Sequence, residues 1–285
     1  MSTDGVLAQG QHGDAARKDA PDTSAGSSSF DTSVAHPARV YDYLLGGKDN
    51  YEADREAAEG IIAISPNVLT SVRANRAFLR RAVQYLAGEA GIRQFLDIGT
   101  GLPTAENTHQ VAQGIAAESR VVYVDNDPIV LAHARALLTS APQGATAYIS
   151  ADLRDTGEIL QEAGRTLDFS EPVAVMLLCV MQYVPDSAGP RQIVSRLMDA
   201  VPPGSYLTMS DTTRDIQTEQ MIAGAAQYNA RLGPNVFTPR TRAEFTAFFD
   251  GLDMVDPGLV PLPQWRALAD PRQVIPMYAA MGRKS

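Results

Sequence analysis

The chain has 285 residues, with 24 Lys or Arg against 33 Asp or Glu, which gives a formal net charge of −9 at pH 7. This acidic balance argues against a nucleic acid as the main partner, because a phosphate-binding surface must be basic. The single cysteine, Cys179, excludes a disulfide framework and an all-cysteine zinc site. The longest apolar run, 173–181, is far shorter than the roughly 20 residues of a membrane-spanning helix, so no membrane partner is expected.

By composition the chain divides into three parts. Residues 1–33 are rich in Ser, Gly, Ala and Asp and contain little to bury, which predicts a disordered tail. They lack the basic start and apolar middle of a secretory signal, which favours a cytoplasmic protein. Residues 34–91 are rich in Ala, Arg, Glu and Leu and are expected to form a helical N-terminal extension that could act as a lid. Residues 92–285 form the main domain.

In the main domain, predicted strands alternate with predicted helices. Strands are expected at 94–98, 120–125, 145–150, 172–178, 205–210, 252–260 and 273–281. Helices are expected at 104–117, 127–138, 189–200, 215–231 and 242–249. This alternation predicts an α/β fold with a doubly wound, mainly parallel seven-stranded sheet.

Three acids follow three consecutive predicted strands. Asp97 precedes a glycine turn, 97–104, with the sequence DIGTGLPT; Asp125 ends the second strand, and Asp152 follows the third. A lone Gly-x-Gly turn is also a common strand-to-helix connection, and Asp152 alone could be a solvated loop acid. Together the acids indicate a ligand site, because ligands of such sheets bind outside the carboxyl ends of the strands. Asp125 could accept both hydroxyl hydrogens of a ribose, leaving Asp127 to cap the next helix.

The turn distinguishes two adenosine-containing ligands. A nicotinamide dinucleotide needs a third glycine for its pyrophosphate, where this chain has Thr104 after Pro103. Asp97 would also place a negative charge near that pyrophosphate, whereas it would attract an ammonium or sulfonium cation. S-adenosyl-L-methionine carries both cations and no phosphate, so the residues favour it over NAD.

Longer motifs carry a resemblance to a known family. The glycine turn and the three acids resemble those of the class I S-adenosylmethionine-dependent methyltransferases. More narrowly, the segment 36–51, HPARVYDYLLGGKDNY, together with 95–104 and 123–128, resembles a bacterial S-adenosyl methyltransferase family first catalogued as a domain of unknown function. The resemblance runs from about Val34 onward. It implies a Rossmann-like fold, makes 92–285 a domain that binds S-adenosylmethionine, and leaves the methyl acceptor unidentified.

The same resemblance implies a set of cofactor-binding positions. They are Asp97, Gly99, Thr100, Gly101, Asp125, Asn126, Asp152 and Leu153. The glycine turn would line the methionine part, with the acid before it near the ammonium. The acid of strand two would bind the ribose, and the positions after strands two and three would flank and hold the adenine. Arg73 and Arg76 could include the partner of the methionine carboxylate, although a solvated helix face explains them equally well.

The catalytic residues are less well defined. After the fourth strand the family often has an aromatic residue or a His pair before Val-Pro-Asp, whereas this chain has Gln182 and Tyr183. This departure leaves a general base open, with Tyr43, Tyr183 and Asp211 as candidates. The Asn-Pro-Pro-aromatic motif of many amino-group methyltransferases is absent, which disfavours adenine or exocyclic-amine methylation.

Other residues of chemical interest have simpler explanations. Tyr41, Tyr43 and Tyr51 could form the lid, with Gly46-Gly47 as its hinge, or could pack on the helices of the sheet. Isolated histidines give no metal-ligand spacing, and Cys179 is expected to be packed rather than nucleophilic.

Three functions remain open at this stage. The favoured one is a methyltransferase that acts on a small-molecule oxygen, nitrogen or carbon. The second is a non-catalytic sensor or regulatory protein that binds S-adenosylmethionine, and the third is an NAD-dependent oxidoreductase. The sequence leaves the oligomeric state open.

Overall fold

Helices and strands alternate along the chain after a helical region that runs from Pro37 to Glu89. The structure is a computed structural model that describes residues 31–104, 106–137, 141–232, 236–267 and 274–285. All but three residues of the predicted tail therefore lie outside the described residues.

The helices are α1 (Pro37–Leu45), α2 (Glu52–Ile64), α3 (Val68–Gln84), α4 (Thr108–Ile115), α5 (Pro128–Leu137), α6 (Thr156–Ala163), α7 (Pro190–Asp199), α8 (Thr218–Leu232) and α9 (Arg242–Thr246). The strands are β1 (Gln94–Ile98), β2 (Arg120–Asp125), β3 (Ala145–Ser150), β4 (Ala174–Leu178), β5 (Tyr206–Thr212), β6 (Asp253–Met254), β7 (Val260–Pro261) and β8 (Met277–Arg283).

The strands form one sheet. Its order is β3-β2-β1-β4-β5-β8-β6, and β7 also pairs with β8. Strands β1 to β5 are parallel, whereas β8 runs antiparallel to β5, β6 and β7. Strands β1 and β4 are buried along their whole length, as expected where helices cover both faces of a sheet. The doubly wound, mainly parallel α/β fold is confirmed. The described residues hold eight strands rather than seven, because two separate pairing segments of two residues each, β6 and β7, take the place of the single strand predicted at 252–260.

Helices α8 and α9 are displaced by a few residues at one end from the predicted 215–231 and 242–249, and two other helices differ more clearly from the sequence prediction. Helix α4 begins at Thr108 rather than residue 104, because Asn107 forms a capping box with Gln110 and the chain passes through a positive φ of 60° at Glu106. Helix α6 was not predicted. It is only 8 residues long and has Gly157 in its first turn, so its apolar period is weak.

Helices pack on both faces of the sheet. One apolar cluster joins the strands to α6, α7 and α9 through residues such as Ile159, Leu197 and Phe245. The other joins the opposite face to α3 and α4, where Phe78 contacts Trp265 edge to face with ring centroids 5.2 Å apart. No helix within the described residues is long and apolar enough to cross a bilayer.

A buried ion pair fixes the first two helices to each other. Arg39 Nε of α1 lies 3.1 Å from Asp54 Oδ2 of α2, and the Asp54 side chain is fully buried. The backbone N–H groups of His36 and Tyr51 donate to the same carboxylate at 2.8 and 2.9 Å. These contacts place the start of α1 beside the N-terminus of α5, where His36 Nδ1 lies 3.0 Å from Asp127 Oδ2. Residues 31–285 form one compact unit, and the boundary predicted between residues 91 and 92 remains a prediction.

Candidate active site

A cavity of about 440 Å³ opens at the carboxyl ends of β1, β2 and β3. Parallel strands bring the segments that follow them to this edge. All nine residues predicted to bind the cofactor line it, namely Asp97, Gly99, Thr100, Gly101, Asp125, Asn126, Asp152, Leu153 and Arg76. The sequence places them far apart, so the fold brings them together.

The glycine turn needs glycine for two reasons. Gly99 and Gly101 have positive φ angles of 73° and 64°, which L side chains rarely adopt. A Cβ on Gly99 would also overlap the Val180 side chain, which lines the same cavity. The backbone therefore passes close to the loop after β4.

Asp97 is a buried carboxylate below this turn. Its side chain is 5% exposed, and Oδ2 accepts a hydrogen bond of 2.6 Å from Thr108 Oγ1 of α4. Burial raises the pKa of Asp97 to about 6, against the opposing effects of the Thr108 hydrogen bond and the Arg76 charge. A cation brought next to Asp97 would recover the electrostatic cost of its burial.

Asp125 organises the backbone around its own carboxylate. Oδ2 accepts from the Gly101 N–H at 2.9 Å, and Oδ1 accepts from the Asp127 N–H at 3.0 Å. Burial raises its pKa, although these two bonds oppose the shift. Each oxygen retains a lone pair that could accept a hydroxyl hydrogen. Asp127 caps α5 by accepting from the Ile129 N–H at 2.8 Å, which is the role that the sequence predicts.

Asp152 has a partner that the sequence did not indicate. Arg154 donates to it through Nε at 2.7 Å and Nη2 at 2.6 Å, and the Arg154 backbone N–H donates at 2.9 Å. These bonds hold the pKa of Asp152 below its usual value. Because Arg154 also lines the cavity, an adenine amine at Asp152 would have to share the carboxylate with it or displace it.

Only one of the two candidate arginines lines the cavity. Arg76 lines the cavity and donates from Nη2 to the Glu106 carbonyl at 3.2 Å. Arg73 is exposed and does not line it. Arg76 is therefore the better placed of the two for a carboxylate in the cavity.

Of the three candidate bases, the structure brings only Tyr183 to the cavity. Tyr43 donates its hydroxyl to Glu59 of α2 and does not line the cavity. Asp211 is fully buried behind the loop after β4, where Oδ1 accepts from the Gln182 N–H at 3.2 Å and Oδ2 lies 3.8 Å from Arg240 Nη1. Neither Tyr43 nor Asp211 can contact a molecule in the cavity from these positions.

The first and third helices supply lining residues that the sequence did not assign to the cofactor. His36 and Tyr41 of the α1 region and Asn75 of α3 line the cavity. Tyr41 donates its hydroxyl to the Val72 carbonyl at 3.2 Å and accepts from Asn75 Nδ2 at 3.0 Å, while Ser210 donates to Asn75 Oδ1 at 2.6 Å. The motif at 36–51 was the available signal, because its residues cap and cover the site rather than project from strand ends.

Fold and site together define an S-adenosylmethionine-dependent methyltransferase. The model of the S-adenosyl methyltransferase family matches residues 23–285. The chain belongs to this family, which rules out the NAD-dependent oxidoreductase. No protein of curated function matches the chain.

Solved structures agree with this assignment. A DUF574 family protein from Streptomyces avermitilis MA-4680 is 46% identical, with a TM-score of 0.86 over 89% of this chain and 99% of that one. A candidate methyltransferase from Thermobifida fusca YX is 42% identical, with a TM-score of 0.82 over 89% and 96%. An O-methyltransferase family protein from Burkholderia thailandensis, 13% identical with a TM-score of 0.50 over 86% and 64%, shares the fold.

The cavity suits S-adenosylmethionine in size and charge. Its volume of about 440 Å³ lies in the range of roughly 300–1,000 Å³ that small-molecule sites occupy. Two buried carboxylates, Asp97 and Asp125, stand beside the glycine turn, and two guanidinium groups, of Arg76 and Arg154, line the same space. The described residues include no cluster of His, Cys, Asp and Glu arranged to hold a metal ion.

Proposed function

We propose that this enzyme transfers the methyl group of S-adenosylmethionine to a small molecule and holds the cofactor with the nine residues predicted from the sequence. The observation that carries the proposal is their convergence on one cavity in which two acids, Asp97 and Asp125, are buried and have raised pKa values. Such acids favour a cationic ligand, because a cation lowers the cost of their ionisation.

Each end of the cavity suits one part of the cofactor. Asp97 and the turn Gly99-Thr100-Gly101 would hold the methionine ammonium, with Arg76 towards its carboxylate. Asp125 would accept the ribose hydroxyls. Asn126, Asp152 and Leu153 would surround the adenine, with Leu153 covering the ring.

When bound, the cofactor supplies an electrophilic methyl carbon: the acceptor's lone pair forms the new bond, the carbon–sulfur pair stays on sulfur, and the acceptor's proton passes to solvent. The chain's contribution is to align the two reactants rather than to remove a proton, because the three titratable groups at the inner end of the cavity stay protonated at neutral pH. Desolvation raises the pKa of Tyr41, Cys179 and Tyr183. Correct positioning alone can lower such a barrier by about 7–11 kcal/mol.

The covering of the cavity favours a small acceptor. His36, Pro37, Ala38 and Tyr41 close over it from the start of α1, so a macromolecular surface would have to displace this helix to reach the inner end. The net charge of −9 also disfavours a nucleic-acid acceptor.

The acceptor class can be tested with S-adenosylmethionine that carries a tritiated methyl group. The enzyme is incubated separately with the small-molecule and macromolecular fractions of a Streptomyces avermitilis extract, and the transferred label is counted. We expect label in the small-molecule fraction, and its loss with Asp125→Ala but not with Asp199→Ala, an exposed acid on α7. Label confined to the macromolecular fraction would refute the small acceptor.

A further inference from the structure

A second cavity of about 130 Å³ lies beside the cofactor cavity, enclosed by α1, α2, α3 and α8. We call it the acceptor chamber. Its apolar wall includes Leu44, Ala57, Val72, Met221, Ala225 and Met277. None of the described residues that line it is charged.

The chamber and the cofactor cavity share three lining residues, Tyr41, Cys179 and Tyr183. Tyr41 lies within α1, and Cys179 and Tyr183 follow β4, so the two spaces border each other just beyond the carboxyl end of the sheet. We propose that the acceptor chamber binds the methyl acceptor, and that this acceptor is a neutral compound of about one six-membered ring carrying a hydroxyl or amine. This inference rests on the proposed function, because it places the acceptor next to the cofactor's methyl group.

The size of the chamber sets the size of its occupant. A cavity of about 150 Å³ lined by aliphatic and aromatic side chains is large enough for benzene, and the chamber, at about 130 Å³, is similar. Met221 and Met277 add flexible side chains that can adapt to the outline of a ring.

The lining of the chamber sets the charge of its occupant. Carboxylates and guanidinium groups line the cofactor cavity, whereas the chamber offers only neutral side chains. An ion placed there would lose its hydration without gaining a counter-charge, which is strongly unfavourable. The fold therefore separates a charged cofactor from an uncharged acceptor.

Polar groups stand at the two ends of the chamber. At the junction, the Tyr183 hydroxyl could orient a single hydroxyl or amine towards the cofactor, and the Tyr41 oxygen, which already donates to Val72 and accepts from Asn75, keeps one lone pair for the same group. At the other end, Gln220 and Gln227 of α8 line the chamber and are exposed. An acceptor could thus enter from solvent past α8 without passing the bound cofactor.

The test uses p-cresol as the neutral probe and 4-hydroxybenzoate as its charged counterpart, measured by calorimetry with and without S-adenosylhomocysteine. Ala225→Phe fills the chamber from α8, and Ala226→Phe makes the same change at the next, exposed position. Ala57→Phe fills it from the opposite wall on α2. Unchanged S-adenosylhomocysteine affinity shows that a variant is folded.

We expect p-cresol to bind the parent and Ala226→Phe alike, and to bind Ala225→Phe and Ala57→Phe at least about tenfold more weakly. 4-Hydroxybenzoate should bind the parent at least about tenfold more weakly than p-cresol. Three results would overturn the assignment of the chamber as the acceptor site. They are no p-cresol binding, equal binding of the two probes, and p-cresol binding that is unchanged in both chamber-filling variants. Absence of S-adenosylhomocysteine binding in the parent would instead overturn the proposed function.

Discussion

Asp97 shows how burial of a single side chain prepares a site for a cation. The folded protein holds its carboxyl where ionisation is unfavourable, next to the buried Asp125, with Arg76 giving partial compensation. A ligand ammonium would supply the missing charge. The free energy that burial of the Asp97 carboxylate costs the folded protein is therefore recovered when a cation binds beside it.

Cofactor affinity should consequently depend on pH in a defined direction. A cation binds the ionised carboxylate, and Asp97 has a pKa of about 6, so affinity for S-adenosylhomocysteine should fall as the pH drops below about 6. Asp97→Asn should bind about tenfold more weakly at neutral pH and lose most of this dependence, with a residual part from Asp125. Calorimetry across the acidic to neutral range measures both effects. A parent whose affinity is flat through this range would exclude the assigned role of Asp97.

At the scale of elements, α1 and α2 stay in place through a few buried polar contacts. Arg39 and Asp54 form the central pair, and the carboxylate also receives two backbone N–H groups. A buried charge that loses its partner is far more costly than a surface one.

Asp54→Ala should therefore loosen the covering of the cavity. We expect the free energy of unfolding to fall by about 3–5 kcal/mol, because the buried Arg39 would keep only its more distant acid, Asp127 at 3.8 Å, and the two backbone N–H groups would lose their acceptor. Hydrogen exchange should rise in 37–64 more than in β1 to β5, and cofactor affinity should decrease. Glu52→Ala, at an exposed position of the same helix, is the matched control. Equal losses in both variants would show that the pair does not fix the helices.

The loop between these helices makes two different demands on its glycines. Gly46 ends α1 with a φ of 85° and has open space around it, whereas a Cβ on Gly47 would overlap the Asp42 carboxylate. That carboxylate accepts from the Asp49 N–H at 3.0 Å and from Asn50 Nδ2 at 2.8 Å, so it cannot move freely. Each glycine is thus required by the local structure, whether or not the loop acts as a hinge.

The two alanine variants of this loop should differ. Gly46→Ala should cost about 1 kcal/mol of stability through its left-handed backbone, and Gly47→Ala should cost more, because the Asp42 network must break. Chemical denaturation of both proteins measures the difference. If Gly46→Ala proves the more damaging, the packing of Asp42 against Gly47 is less important than the backbone conformation.

For the molecule as a whole, buried acids set the response of stability to pH. Burial raises the pKa of Asp97 to about 6 and of Asp211 to about 7, from an ordinary value of 3.8. From about pH 3.8 to about pH 7 the folded state therefore binds more protons than the unfolded state, so the free energy of unfolding falls as the pH rises. Acids with lowered pKa, such as Asp152, act in the opposite direction below about 3.8.

The ligand-free enzyme should accordingly melt at a higher temperature at mildly acidic than at neutral pH. Asp211→Asn, which can keep the bond from the Gln182 N–H, should raise the melting temperature at neutral pH by a few degrees, since about 1 kcal/mol shifts it by roughly 2–4 °C in a chain of this size. Scanning calorimetry over this range tests both statements. A melting temperature that rises steadily towards neutral pH in the parent would contradict them.

Much of the fold and of the candidate site follows from local sequence patterns. Buried strands such as β1 and β4 are short apolar runs, and parallel pairing then brings Asp97, Asp125 and Asp152 to one edge whatever the details between them. The partners of those acids depend instead on tertiary packing. The contacts of Arg154 with Asp152 and of His36 with Asp127 could not be predicted, because no periodicity specifies which side chain folds back onto which acid. The distance of Tyr43 from the cavity depends in the same way on the rotation of α1 about its axis.

The antiparallel strand β8 has a consequence for how a newly made chain reaches this structure. Strand β5 pairs with β4 on one side and with β8 on the other, and β8 comes last in sequence among the strands that the structure describes. During synthesis, the outer edge of β5 thus stays open until the segment from Met277 onward has left the ribosome. An open strand edge invites pairing with other chains. We therefore expect nascent chains stalled before Met277 to need a chaperone to escape aggregation, and completed ones to need it far less.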